Sequence, residues 1–249
     1  MASIVTVVLA GVAVAHRAVA AGTLTETPAV VMDTAGAVLD TIFLEPQTIW
    51  AVQDPGAPRG FGSYRPQPFA DNDLLRLSPV AAEYVVVGRR VDPDAEQATF
   101  SVARIRVAGD TLFRRDFAYD PVPIPAGAPD SLAQAWGAML AESRFAGSPT
   151  PATAAARARE GLYVPAHHPA VRDLIPGIDG TIWLERARDA TSSEWLVLDP
   201  DGQPLHRVRL PARVTVMAAS RDRVWGVETD ELDVPYIVRY GVGPTRPLR

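Results

Sequence analysis

The 249-residue chain contains no cysteine, so it has neither a disulfide framework nor a thiolate metal site. It also lacks an uninterrupted apolar run of 18 residues, and we therefore expect no transmembrane helix. Its net charge of -5 and its scattered arginines argue against a nucleic-acid surface, which needs clustered positive charge to neutralise phosphates. Sequence signatures of catalysis are missing as well: there is no G-x-S-x-G elbow, H-E-x-x-H motif, P-loop or dinucleotide fingerprint.

Proline and glycine are abundant, with 23 and 18 residues, and this composition favours many short elements over a few long ones. A hairpin pattern occurs three times, at residues 30–42, 104–117 and 196–208. Each copy contains a β-rich run, a turn that ends in glycine, and a second run with a leucine three places on. Glycine permits the positive φ that tight hairpins require. The turn glycines are Gly36, Gly109 and Gly202.

Runs rich in β-branched and aromatic residues accompany these hairpins and predict strands at 3–8, 83–89, 181–186 and 223–228. Trp183 and Trp225 are 42 residues apart, close to the ~40 to 45 residues of a four-stranded propeller blade. We therefore predict an all-β fold, a β-propeller of four-stranded antiparallel blades, as a single domain over residues 1–249. Its parts are a blade at 1–44 without its inner strand, a loop at 45–72, a blade at 73–117, a helical insertion at 118–169, a blade at 170–210, and a blade at 211–243 without its outer strand.

The helical insertion is predicted from apolar spacing. Residues 129–145 place Leu132, Trp136, Met139 and Leu140 on one face of a helix, with Asp130 or Ser131 as its cap. A second short helix is expected at 152–161, ended by Gly161. The insertion is expected to cover a blade edge, and the alternative is a lid over a pocket.

Two stretches resemble a known family: DGTIWLE at 179–185 and WLVLDPDGQPL at 195–205 are similar to the six-bladed β-propellers of the NHL and TolB-like group. The chain also resembles the C-terminal part of a poorly characterised set of bacterial six-bladed propeller proteins. The resemblance implies an incomplete propeller, a possible fragment, and an extracytoplasmic location in the periplasm or cell envelope. Its motifs specify blades and not chemistry.

The N-terminal stretch 1–22 is apolar and invites interpretation as a secretion signal. Its first basic residue, Arg17, follows the apolar run, whereas a signal peptide carries its positive charge before that run. We therefore predict a blade strand at 3–8, no signal peptide within residues 1–22, and a chain that starts inside a blade.

Antiparallel strand order predicts that the connections between successive blades lie on one side of the propeller, which we call the loop side. The opposite side carries the glycine hairpins and is called the hairpin side. Long irregular segments on a rigid scaffold are typical recognition surfaces, so ligand contacts are expected on the loop side. The candidate ligand-binding residues there are Trp50, Phe61, Tyr64, Phe69, His167 and His168.

A metal site has only weak support. Asp230, Glu231 and Asp233 lie in an acidic loop, and carboxylate oxygens are ligands for hard cations such as calcium. Their spacing does not match an EF-hand, and a solvated acidic turn is the alternative. Similarly, His167 and His168 are adjacent and point to opposite sides of an extended segment, so a surface turn is favoured over a shared metal.

Two functions follow from these observations. The first is a non-catalytic propeller that binds a protein, peptide or glycan on the loop side, with no cofactor. The alternative is a propeller hydrolase or lactonase that uses a divalent cation near the central channel. Such an enzyme would place polar residues near the starts of the first strands of the blades, where this chain has Asp71, Asn72, Asp73, Arg172 and Asp173.

Overall fold

The structure is a computed structural model that describes residues 22–24, 27–32, 37–44, 47–53, 62–66, 68–89, 97–107, 109–141, 150–189 and 191–243. These residues form mainly antiparallel β-sheets, together with two helices. The predicted all-β class is confirmed at this level. The predicted strand at 3–8 lies outside the described residues.

The N-terminal region contains more strands than predicted. Strands β2 (Thr27–Met32) and β3 (Val38–Leu44) form the expected hairpin. The stretch 45–72, however, is not an irregular loop: it contains β4 (Gln47–Gln53) and β5 (Gly62–Pro66), which pair with each other. On its other edge, β4 pairs with β1 (Gly22–Leu24). The prolines around this stretch suggest a loop, but QTIWAVQ has the β-branched and aromatic content of a half-buried strand.

Two four-stranded sheets match the predicted complete blades, and a three-stranded sheet matches the last one. The first sheet contains, in spatial order, β6 (Leu74–Leu77), β7 (Glu83–Gly88), β8 (Thr99–Arg106) and β9 (Thr111–Ala118). The second contains β10 (Asp173–Pro176), β11 (Ile182–Arg188), β12 (Ser192–Leu198) and β13 (Pro204–Pro211). The third contains β14 (Thr215–Ser220), β15 (Arg223–Thr229) and β16 (Pro235–Gly241).

In the sheet β10–β13, the central strands β11 and β12 are buried on both faces. Leu184 and Leu196 pack toward the sheet β6–β9 in one hydrophobic cluster. Their neighbours Trp183 and Trp195 point the other way and pack against the sheet β14–β16 in a second cluster. Because successive side chains alternate between the faces of a strand, a sheet between two others needs a continuous apolar run, as IWL and WLVL supply.

The first strands of the three C-terminal sheets are neighbours, since β10 lies against both β6 and β14. Backbone hydrogen bonds add to this packing: Ile178 N donates to Ala219 O over 2.8 Å. Within the described residues the sheets close into neither a barrel nor a ring, so the propeller architecture stays a prediction.

The insertion between β9 and β10 contains two helices, α1 (Ala128–Ala141) and α2 (Pro151–Glu160). Leu132 and Trp136 pack onto a small cluster as predicted, but Met139 is exposed. Asp130 lies inside the first turn of α1 and does not cap it, because the helix begins two residues earlier. Gly161 follows the last residue of α2, as expected. Among the described residues, neither helix combines the length and the apolarity required to cross a bilayer.

On the hairpin side, the sheets β6–β9 and β10–β13 are in direct contact. Gly109 and Gly202 adopt positive φ values of 113° and 78°, as the repeated hairpin pattern predicts. The turn at Gly202 lies against the ring of Phe113, and a Cβ atom there would be only 2.5 Å from that ring. Arg104 and Arg115 of the first sheet donate hydrogen bonds of 3.0 Å to the carbonyl oxygens of Pro200 and Asp201 in the second.

Candidate functional site

The loop side contains a cleft of about 350 Å³ between the end of β9, the segment that leads into β10, and the strands β11–β13. We call it the arginine cleft. Its charged lining consists of Arg172, Arg186, Arg207, Asp120 and Glu194. It therefore lies where the sequence predicts recognition, although most of these residues were not predicted to take part.

The cleft begins where the apolar contact between two sheets ends. Leu196 and Leu198 of β12 fill the space against the sheet β6–β9, and Glu194 occupies the next position on the same face of that strand. On the adjacent strand β13, Val208 points toward the other sheet, so Arg207 shares the face of Glu194. At this end of β12 and β13, charged residues follow the apolar ones, so the space beside the strands is a polar opening.

Arg186 lies at a β-bulge, since the pairing of β11 with β12 shifts register between Glu185 and Ala187. A bulge bends its strand and redirects a side chain. The guanidinium of Arg186 lies 4.6 Å from the ring centroid of Phe100, and its Nε donates to Ala170 O over 2.8 Å. Burial lowers the pKa of Arg186, and the nearby Arg207 lowers it further. The ring of Phe100 and the carbonyl oxygen of Ala170 thus hold the guanidinium of Arg186 firmly in the wall of the cleft.

Glu194 is the counter-ion of the opposite wall. Its two carboxylate oxygens lie 3.3 Å from Nη1 of Arg207 and 3.5 Å from Nη2 of Arg209. Both arginine side chains are largely exposed. Because exposed ion pairs are weak, ligands in water compete readily with such contacts.

His168 and Arg172 line the side of the cleft that leads into β10. Burial, followed by the positive charge of Arg172, lowers the pKa of His168, so its imidazole is neutral at pH 7. The ring of His168 lies 5.9 Å from that of Phe69. The side chain of Arg172 is exposed and makes no hydrogen bond or ion pair with the described residues.

The predicted ligand residues are only partly brought together. His168 lines the cleft, whereas Phe69 is buried against the helices and does not form its surface. His167 is exposed and forms an isolated β-bridge with Pro123. Trp50 and Tyr64 lie on the paired strands β4 and β5, and Phe61 lies outside the described residues.

The carboxylates near the starts of β6 and β10 surround an arginine. Arg89, at the end of β7, donates hydrogen bonds to the carbonyl oxygens of Asn72 and Val171. Burial lowers its pKa to about 10, while Asp71, Asp73 and Asp173 oppose that shift. A protonated guanidinium therefore provides positive charge where the hydrolase hypothesis would require a divalent cation.

The acidic loop is a turn. The carboxylate of Asp230 accepts hydrogen bonds from the backbone N–H groups of Leu232 and Val234, at 2.8 and 2.9 Å. Asp233 has a φ of 59°, and Glu231 is exposed. In the part of the chain that the structure describes, no group of three or more His, Asp or Glu side chains is placed to hold a metal ion.

Glu228, which precedes this loop, is buried and fully occupied by structural contacts. Its carboxylate accepts hydrogen bonds from Tyr240, from Tyr236 at 2.8 Å and from Arg213 at 2.7 Å. The hydrogen bond from Tyr240 is the largest cause of its lowered pKa, and those from Tyr236 and Arg213 add to it against the effect of burial. The hydrogen bonds from the two tyrosines hold β16 against β15.

No family model matches this chain, and no curated protein sequence matches it either. The resemblance to six-bladed propellers of the NHL and TolB-like group therefore stays a prediction.

The sequence analysis did not single out Arg186, Arg207 or Glu194, because each lies within a strand and not in a loop. A signal was present: Glu194 and Leu196 share one face of β12, so the polar residue continues a buried row. The sequence alone does not reveal that Glu194 lies where the apolar contact between two sheets ends, because the position of the neighbouring sheet must be known first.

Proposed function

We propose that this chain is a non-catalytic, propeller-type binding protein that recognises a protein, peptide or glycan on its loop side, in the arginine cleft. The observation that carries the proposal is this cleft of about 350 Å³, whose charged side chains surround an opening between two sheets. Small-molecule and peptide sites are typically concave, with a few polar groups that fix orientation.

The propeller part of the proposal is supported by sheet packing. Three successive antiparallel sheets pack face to face with their first strands side by side, as blades do. In such an arrangement the cleft lies between two blades, beside the helical insertion. The resemblance stated above also implies an extracytoplasmic location for this binding function.

The alternative function is a hydrolase or lactonase that uses a divalent cation, calcium being the weakly supported candidate. Its test is metal content together with thermal unfolding in calcium and in chelator. Bound metal, or hydrolysis of a lactone panel that chelator abolishes, would favour this alternative over a binding protein.

The binding proposal is tested by screening immobilised protein against arrays of peptides and glycans. Ala118 is exposed at the rim of the cleft, so Ala118→Trp obstructs the opening without disturbing a buried residue. Thr111, exposed at the other end of the same strand, provides the matched control Thr111→Trp. We expect wild type and Thr111→Trp to bind the same ligands and Ala118→Trp to lose them. Equal binding by all three proteins would contradict the proposal.

A further inference from the structure

We propose that the arginine cleft binds the carboxylate of a peptide, with Arg172 as its bidentate partner. This inference rests on the proposed function and specifies the ligand of the same site. Three observations carry it: the excess positive charge of the cleft, the difference between the three arginines in their hydrogen bonds and ion pairs, and the small apolar residues in the rest of the lining.

The charge of the cleft favours an anion. Arg172, Arg186 and Arg207 of the lining carry three positive charges, while Asp120 and Glu194 carry two negative ones. Arg209, which lies outside the lining, also pairs with Glu194, so the cleft has an excess of positive charge. One guanidinium is enough to pair a carboxylate, whereas a phosphate dianion has two charges to pair in the same space.

The excess charge is available on Arg172. Arg186 is already engaged with Ala170 O and lies over an aromatic ring, and Arg207 faces Glu194. Arg172, by contrast, has an exposed side chain without a hydrogen bond or ion pair to the described residues. The planar guanidinium fork matches the two oxygens of a carboxylate, so Arg172 is suited to a bidentate contact.

The rest of the lining favours a peptide over an acidic glycan. Sugar rings are commonly bound on exposed aromatic faces. Of the two aromatic rings in the lining, that of Tyr119 is buried and covered by Arg186, and the other is the small imidazole of His168. The uncharged lining consists mainly of small apolar groups, Ala118, Val122, Pro169 and Ala170. Val122 is exposed, so it is available to contact an apolar side chain next to the bound carboxylate.

The experiment uses the whole chain and the peptide acetyl-Ala-Ala-Val as a free acid, with its C-terminal amide as the neutral match. Binding is measured by titration calorimetry or chemical-shift perturbation at low salt. A further arm uses an amidated peptide with one internal glutamate, which separates a terminal carboxylate from a side-chain one. Glucuronate and inorganic phosphate are the competing ligand classes.

We expect the free acid to bind and its amide to bind at least about tenfold more weakly, since a charge-assisted contact contributes about 1.5 to 3 kcal/mol. Arg172→Gln should weaken binding of the free acid by about the same factor, and Arg172→Lys should restore part of it. Arg106→Gln, an exposed arginine on the hairpin side, should leave the affinity unchanged. Thermal unfolding of each variant verifies that it folds.

Equal affinities for acid and amide, or an undiminished affinity of Arg172→Gln, would overturn the inference. So would tighter binding of phosphate or of glucuronate than of both carboxylated peptides, which would indicate a different ligand class. If Ala118→Trp abolishes binding of an array ligand and Arg172→Gln does not, only the carboxylate inference fails. If neither variant affects binding, the proposed function fails as well.

Discussion

The loop side and the hairpin side of the same two sheets both carry arginines, in very different surroundings. On the hairpin side, Arg104 is 12% exposed, forms a 2.6 Å ion pair with Glu83, and donates to a carbonyl oxygen of the neighbouring sheet. On the loop side, Arg172 is exposed and has no such contact with the described residues, and Arg207 meets its carboxylate at 3.3 Å with 59% of its side chain exposed.

This difference separates two uses of one residue type. A guanidinium whose donors are used by the protein, in a space shielded from water, stabilises the packing of two sheets. A guanidinium with unused donors at the mouth of a cleft remains able to bind a ligand. The comparison predicts that changes on the hairpin side affect stability, whereas changes on the loop side affect binding.

The largest loss of stability is expected from Gly202→Ala. A side chain there is strained at a φ of 78°, and its Cβ would approach the Phe113 ring within 2.5 Å. Strain and overpacking together should cost about 2 to 4 kcal/mol of the free energy of unfolding. The measurement is chemical denaturation.

The matched control is Gly109→Ala in the equivalent hairpin. Its φ of 113° is also positive, but a Cβ there meets nothing within 4 Å. This variant should therefore lose only the contribution of backbone strain, about 1 to 2 kcal/mol. Equal losses in the two variants would show that the contact with Phe113 is unimportant.

A smaller loss is expected from Arg104→Met. It leaves Glu83, whose side chain is 13% exposed, without its ion-pair partner. Unpairing a largely buried carboxylate should cost about 2 kcal/mol. The loop-side counterpart, Arg207→Met, should cost less than about 1 kcal/mol because its ion pair is exposed. Denaturation curves in which Arg207→Met is the more destabilised variant would reverse the comparison.

The smallest effect concerns acid stability on the loop side. Hydrogen bonds from the backbone N–H and hydroxyl of Thr191, and from the backbone N–H of Ser192, lower the pKa of Asp189 to about 2 from 3.8. Because the folded-state pKa is depressed, its stabilisation is present above about pH 4 and is lost as the pH falls through about 2.

Asp189→Asn should therefore lower the melting temperature slightly at pH 5, and the difference from wild type should shrink toward pH 2. Asp201→Asn, on the hairpin side, controls for the loss of one negative charge, since its carboxylate accepts no hydrogen bond from the described residues. A difference that grows as the pH falls would show that the sign of the shift is wrong.

Much of the C-terminal fold was predictable because its signals are local. The glycine turns, the strand runs before them and the helix ended by Gly161 all follow from short-range patterns. The region 45–72 was predicted less well. Its prolines suggested a loop, whereas β4 pairs not only with the next strand, β5, but also with β1, which precedes the β2–β3 hairpin in the chain. Strand pairing is a non-local property that propensity reports only weakly.

The sequence by itself determined which strands are buried on one face and which on both. Alternating apolar residues specify the first kind of strand, and continuous apolar runs specify the second. Only the tertiary structure decided which charged residues lie close together. Arg172, Arg186 and Arg207 belong to three separate segments, and they meet because two sheets pack face to face and their apolar contact ends at Leu196. Electrostatic surroundings depend on distance and burial between distant segments, and neither quantity is encoded in local spacing.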